Sequence, residues 1–298
     1  MNRVAVAAGA VAGLGMAGLA IAHAGPGITA IGPLRRRLFP RLSGLGRPDH
    51  VALTFDDGPD PATTPGFLEL LAARRLHATF FLLGSMVDRA PELAAQIAGG
   101  GHEVAVHGWD HRYTILRSPR DVHGDLARAT AVVAAATGQR PAFFRPPYGV
   151  LSTGALDAAR GLGLTPVLWS SWGREWTAGA TAGTVADTVL AGLGGGATIL
   201  LHDSDCTSPP GSAAAALAAL PRVLDACEVR GLSVGTLAEH WRGPGAAGST
   251  AAAGSGAAGS SRRAGSPLGG GPPVVPGRAA PAGIPSAYSA SVQESAAY

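Results

Sequence analysis

His50-Val51-Ala52-Leu53-Thr54-Phe55-Asp56-Asp57-Gly58-Pro59 decides the reading of this chain, because a run of strand length breaks there on two adjacent carboxylates and a Gly-Pro turn. Working outward, short apolar runs bounded by Gly and Pro recur from Asp49 to Arg242 and alternate with segments of helical period. That is the pattern of repeated βα units around a parallel sheet or barrel. The expected strands are His50–Phe55, Ala78–Leu83, His102–Val106, Ala142–Arg145, Leu164–Trp169, Thr198–Leu201 and Leu232–Val234. Helices fill the gaps, the Ala-rich stretch Ala213–Leu220 among them. About seven βα units fit, giving an α/β fold with one catalytic domain.

Composition narrows the function. Of 298 residues, 46% are hydrophobic and 14% charged, which excludes end-to-end disorder and a long coiled coil. The net charge of +3 is unevenly spread: residues 1–48 carry six Arg and no acid, whereas residues 49–242 carry 14 Arg against 19 Asp and Glu. An acidic middle argues against nucleic acid as a partner. All 23 basic residues are Arg, from which nothing further follows.

Residues 1–48 are expected to be a signal peptide or membrane anchor followed by a basic linker. Val4–Ile21 is uncharged and apolar, follows Arg3 and runs into Ala22-His23-Ala24, which has the small-x-small form of a signal-peptidase site. Export is therefore expected, either by secretion or by anchoring at the outer face of the cytoplasmic membrane. The stretch also reaches the length of a span, and Arg35-Arg36-Arg37 would favour the opposite topology if it were retained. Residues 243–298 are rich in Gly, Ala, Ser and Pro and are expected to form a disordered tail. Cys206 and Cys227 are an even pair, so in an exported chain one disulfide tying the loop after His202 to a later helix is expected, with two buried thiols as the alternative.

The residues with chemistry fall where strands end. Asp56 and Asp57 stand at one break, and the Gly-Pro turn lets one carboxylate bind a metal while the other faces an activated water. Turn formation and helix capping would explain the pair equally well. His107-Gly108-Trp109-Asp110-His111 spaces two imidazoles by four, close enough to share an ion. A zincin metalloprotease fails locally, because Gly108 stands where a base Glu is needed. Arg145-Pro146-Pro147-Tyr148-Gly149 reads as a rigid turn that presents an Arg to a carboxylate. Ile199-Leu200-Leu201-His202-Asp203 ends a buried strand with an imidazole able to protonate a leaving group. Convergence at the carboxyl ends of strands is the layout of a barrel active site, and an open doubly wound sheet shares it.

Taken in order, these motifs and the Trp-containing loop Trp169-Ser170-Ser171-Trp172-Gly173-Arg174-Glu175-Trp176 resemble the polysaccharide deacetylase family, carbohydrate esterase family 4 or NodB-homology domain, over residues 49–242. The resemblance implies a distorted (β/α) barrel. It implies that Asp57, His107 and His111 hold one divalent metal, usually zinc, with other divalent transition metals as alternatives. Asp56 would be the general base, Arg145 its orienting residue and His202 the acid. Tyr148 would offer its backbone N–H to the oxyanion, and Leu200 and Trp176 would line the acetyl pocket.

Two positions depart from the family pattern. Gly108 replaces a common Ser or Thr, removing a hydroxyl that could brace the loop. Glu175 replaces the common Asp that partners the catalytic His, keeping the charge with one more methylene, and is expected to favour protonated His202. Trp172 and Trp176 would stack on sugars or pack on the core. The expected activity is N-deacetylation of an amino-sugar polymer, peptidoglycan or chitin-like, with an O-acetyl xylan-type esterase and an inactive carbohydrate-binding barrel as alternatives.

Overall fold

The computed structural model describes residues 18 and 20–241. The expected tail, 243–298, and most of Val4–Ile21 lie outside the described residues. Strand β1 (His50–Asp56) is buried along all seven residues, as a parallel strand covered on both faces must be. The remaining strands are β2 (Thr79–Leu82), β3 (Glu103–Val106), β4 (Phe143–Phe144), β5 (Thr165–Pro166), β6 (Ser171–Trp172), β7 (Thr198–His202) and β8 (Ser233–Gly235). They form one parallel sheet in the order β5-β4-β3-β2-β1-β7-β6, with β8 added along the first residues of β1. Helices are α1 (Gly32–Leu38), α2 (Thr64–Arg74), α3 (Gly84–Arg89), α4 (Pro91–Gly99), α5 (Pro119–Thr137), α6 (Thr153–Leu162), α7 (Ala182–Gly192), α8 (Ser212–Val229) and α9 (Leu237–Trp241).

Local chemistry sets the helix ends. Ser118 and Ser152 cap α5 and α6 by accepting backbone N–H groups, and Gly138 and Gly163 end them at positive φ. Thr181 and Thr184 form a reciprocal capping pair on α7.

Alternation along β1 divides the molecule. Val51, Leu53 and Phe55 face the helices, where they join Phe67, Leu71, Val189, Leu220 and Val223 in the main core. Burying side chains of this size contributes roughly 1.5–3 kcal/mol each. Ala52, Thr54 and Asp56 take the other face, and the Arg145 side chain fills the space beside Thr54 and Asp56.

The seven expected strands are all present, with one change. Leu164–Trp169 is not a single strand: it is the two-residue β5, and the unforeseen β6 follows at Ser171. Between them three N–H groups find three different partners, Val167 on Phe144 O, Leu168 on Leu42 O and Ser170 on Thr198 O. No ladder links β5 to β6 and no helix separates them, so the barrel is distorted at this seam.

The expected linker also differs. From Gly25 onward it is folded against the domain, Gly27 beside Ile115 and Val150, and residues 42–46 hydrogen-bond to both sides of the seam. Leu42 O accepts Leu168 N–H at 2.7 Å, Gly44 O accepts the Thr198 hydroxyl at 2.6 Å, and Gly46 N–H donates to Gly196 O at 3.0 Å. Arg35 is buried and gives its three groups to Ser43 Oγ, Thr29 O and Trp169 O. It is a structural arginine, and Arg36 and Arg37 alone of that cluster are exposed.

Both cysteines are free. Cys227 is buried in α8, whereas Cys206 lies in the loop after β7 with its thiol 3.6 Å from Asp57 O. The expected bridge is absent, with Cys227 in the main core and Cys206 an exposed loop residue beside Asp57, so two buried thiols are not found either. Burial and the nearby Asp57 charge push the Cys206 thiol far above its ordinary pKa, which removes it as a nucleophile.

Candidate functional site

Register carries the expected residues to one rim. Asp56 is the Cα partner of His202 across β1 and β7. His107 N–H bonds Leu82 O at the end of β2, and Arg145 N–H bonds Val106 O at the end of β3. Asp56 and His202 therefore end their strands side by side, and His107 and Arg145 stand one step beyond the ends of β3 and β4.

Arg145 is wholly buried, and its donors are committed. Nη1 reaches Asp56 Oδ1 at 2.6 Å and Thr54 Oγ1 at 2.9 Å, while Nε and Nη2 take the carbonyls of Val167 and Leu168 at 3.3 and 3.0 Å. The guanidinium also lies 4.0 Å from the Phe81 ring centre. One oxygen of Asp56 is thereby fixed, and the other stands 3.7 Å from His107 Nε2.

Asp57 leaves the strand at φ +79° and turns to the same side. Its Oδ1 is buried without a hydrogen-bond partner among the described residues, 3.4 Å from His107 Nε2 and 3.6 Å from His111 Nε2. Its Oδ2 accepts the hydroxyl of Thr207. Burial opposes ionisation of Asp57, but the imidazoles of His111, His202 and His107 and the Thr207 hydroxyl outweigh it and lower the pKa. His111 is driven the other way, down to about 4, by burial foremost and by His107 and His202 against the pull of Asp57.

One donor atom from each of Asp57, His107 and His111 lies within 4.8 Å of the others. His107 Nδ1 lies 2.8 Å from Arg145 O and can only donate to it, so a neutral ring carries its lone pair on Nε2. An orphan carboxylate oxygen facing two imidazole nitrogens of which at least one has no hydrogen is a repulsive arrangement in itself. A cation relieves it, and the Asp–His–His donor set fits a divalent transition metal with open positions.

Across the rim, Glu175 Oε1 accepts both the backbone N–H and Nδ1–H of His202, at 2.6 and 2.8 Å. The longer side chain is accommodated because residue 173 is glycine: a Cβ there would lie 2.6 Å from Glu175 Oε2 and 2.5 Å from Leu201 Cδ2. Burial works against the charged ring of His202, yet the hydrogen bond and charge of Glu175, with Asp57 and Asp56 beyond, raise its pKa to about 9. Trp176 meets the His202 ring edge-on at 5.1 Å and Trp172 at 5.5 Å, both indoles being half-buried. Leu200 is buried in β7, paired with Trp172. Tyr148 stands in a tight turn at φ +59°, with its ring against His111 at 4.3 Å and stacked on Tyr113 at 3.8 Å. Asp57, Tyr148 and Arg174 are three of the four non-glycine residues at positive φ among the described residues, all in loops after strands of this rim.

Gly108 has a cause beyond a missing hydroxyl. It adopts φ +95°, and the loop is braced instead by Asp125, whose Oδ2 accepts Trp109 N–H at 2.9 Å while Oδ1 takes Arg117 at 2.6 Å. Asp125, Arg117, Thr207, Thr54 and Arg35 were not foreseen. Thr54 alone carried a signal, a lone polar residue inside the β1 run.

The model of the family described as polysaccharide deacetylase matches residues 44–167. A peptidoglycan-N-acetylglucosamine deacetylase of Listeria monocytogenes is 39% identical over 153 residues, 51% of this chain, and the chain spans 32% of that protein's length. A chitooligosaccharide deacetylase of Sinorhizobium fredii is 36% identical over 214 residues, covering 68% of this chain and 96% of its own. Among solved structures, a family 4 carbohydrate esterase from Streptomyces lividans aligns with a TM-score of 0.57 at 30% identity, over 63% of this chain and 93% of its own. With a relative matched along nearly its whole length and the family's motifs gathered on one rim, the chain belongs to the polysaccharide deacetylase family.

Proposed function

We propose that the chain hydrolyses N-acetyl groups on amino-sugar polymers or oligomers, peptidoglycan or chitin-like, with one divalent metal ion, zinc before other transition metals. The observation that carries this reading is the placement of the Asp57–His107–His111 donor set, with Asp57 Oδ1 unpartnered among the described residues, and the Glu175-held His202 on either side of Asp56. Relatives named as peptidoglycan and chitooligosaccharide deacetylases support an amide over an ester substrate. Export to the cell envelope belongs to the same reading and is supported by the order of features in residues 3–24.

When bound to Asp57, His107 and His111, the metal supplies Lewis acidity that polarises the acetyl carbonyl and acidifies water. Asp56, held by Arg145 through one oxygen, uses the other to take the proton from the attacking water. The backbone N–H of Tyr148 donates to the oxygen as it gains negative charge. Leu200 and Trp176 enclose the acetyl methyl. His202 arrives protonated at neutral pH, gives its proton to the amide nitrogen as the C–N bond breaks, and leaves a free amine and acetate.

Acetate released from N-acetylated chitooligomers, peptidoglycan and acetylated xylan tests the proposal. Release from the amino sugars with appearance of free amine is expected; release from xylan alone overturns it. Asp56→Asn is expected to abolish release while sparing sugar binding. Binding with no release by the unaltered chain would instead make it a carbohydrate-binding barrel.

A further inference from the structure

Helix α1 leaves apolar side chains in water. On a surface helix the apolar side faces the protein and the charged side faces water. Here the buried side chain is Arg35, 5% exposed, while Leu34 and Leu38, which helical geometry sets beside it and not opposite it, are 36% and 56% exposed. The three hydrogen bonds of Arg35 anchor the helix through its guanidinium and not through those leucines.

The exposed apolar side chains do not stop with the helix. Ile28, Ile31 and Phe39 are also exposed, at 56%, 46% and 48%, and Ile21 precedes them. Of the eight exposed large hydrophobics among the described residues, six fall between positions 21 and 39. Their concentration in one short segment is what scattered surface residues do not show.

Charge identifies the occupant. Arg36, Arg37 and Arg41 are exposed among these side chains, and residues 1–48 contain no acid. Apolar side chains interleaved with arginines form a surface suited to an anionic bilayer, apolar groups entering the acyl boundary and guanidinium groups meeting lipid phosphates. The patch also begins where the uncharged stretch Val4–Ile21 ends. A protein partner would account for the apolar side chains but not for their continuity with a stretch that is itself uncharged and apolar.

We propose that Ile28, Ile31, Leu34, Leu38 and Phe39, with Arg36, Arg37 and Arg41, form a membrane-docking surface that lays this edge of the catalytic domain on an anionic lipid bilayer. The proposal is independent of the enzymatic reading. It also gives Arg35 a second consequence, since its hydrogen bond to Trp169 O ties the docked helix to the segment whose carbonyls hold Arg145.

The test uses the full chain with Cys206→Ser and a single environment-sensitive fluorophore on Leu38→Cys, or separately on Phe39→Cys. Val229→Cys, an exposed position on α8, is the control. Each is measured in lipid-free solution, on phosphatidylcholine vesicles and on phosphatidylcholine–phosphatidylglycerol vesicles. Iodide quenching at 38 and 39 is expected to fall roughly threefold or more on the anionic vesicles, with a blue shift reduced by high salt, while position 229 stays quenchable throughout. Equal quenching at all three positions on anionic vesicles overturns the proposal. So does protection at 38 and 39 already present without lipid, which would mean that the chain itself or a second copy covers the patch.

Discussion

His111 and His202 are both enclosed imidazoles on the same rim, and their pKa values move in opposite directions, to about 4 and about 9. Burial disfavours the charged ring at both. The difference is a carboxylate: Glu175 accepts Nδ1–H of His202 at 2.8 Å, whereas Nδ1 of His111 has no hydrogen-bond partner among the described residues and its Nε2 faces Asp57 at 3.6 Å. One ring is thereby kept neutral with a lone pair to give, and the other keeps a proton to give. In the proposed mechanism residue type does not separate the metal ligand from the acid; the position of one carboxylate does.

The largest effect expected from breaking this contrast comes from removing either ring. His111→Ala and His202→Ala should each lower acetate release by about 10²–10⁴-fold, but they should part on metal content. His111→Ala is expected to lose bound metal by elemental analysis, and His202→Ala to retain it. Loss of metal from His202→Ala would place that ring among the ligands and erase the distinction.

Glu175→Gln sharpens the contrast without removing a ring. A raised pKa means His202 stays protonated below about 9 and loses its proton as pH rises through that value. Removing the carboxylate charge lowers the pKa, so the alkaline limb of the kcat profile should move down by about one to two pH units. Glu175→Asp should restore part of the shift. An alkaline limb identical in all three proteins would show that this carboxylate does not set the proton of His202.

A smaller effect is expected at the metal side. Gly108→Ala forces a side chain into φ +95° and places its Cβ 3.3 Å from Asp125 Oδ2, at a cost of about 1–2 kcal/mol. Thermal unfolding should shift down by several degrees, with weaker metal binding and an unchanged alkaline limb. No change in either would mean that the loop is indifferent to residue 108.

Much of this site was legible because each group stands beside a strand end, where local sequence marks both the strand and the break. Asp56, Asp57, His107, His111, Arg145 and His202 all have that signature, and Glu175 was legible through its spacing from Trp176. Arg35 was not, because its hydrogen bond to Trp169 spans 134 residues and its neighbours read as a basic linker. Thr207 and Asp125 reach the Asp57 and His107–His111 loops through contacts between segments distant in sequence, which no periodicity records. Strand β6 was missed because two residues carry no alternation, and its existence depends on Ser171 and Trp172 meeting Ile199 and Leu200 on β7. The proposed disulfide failed because pairing two cysteines requires knowing which layer each occupies.

The central claim is that hydrolysis depends on one divalent ion held by Asp57, His107 and His111. Dialysis against a chelator, followed by parallel measurement of metal content and acetate release during readdition of zinc, tests it directly. The account predicts that activity falls with metal content and returns in proportion, reaching its plateau at one equivalent per chain. Undiminished release from protein shown to be free of metal would contradict it.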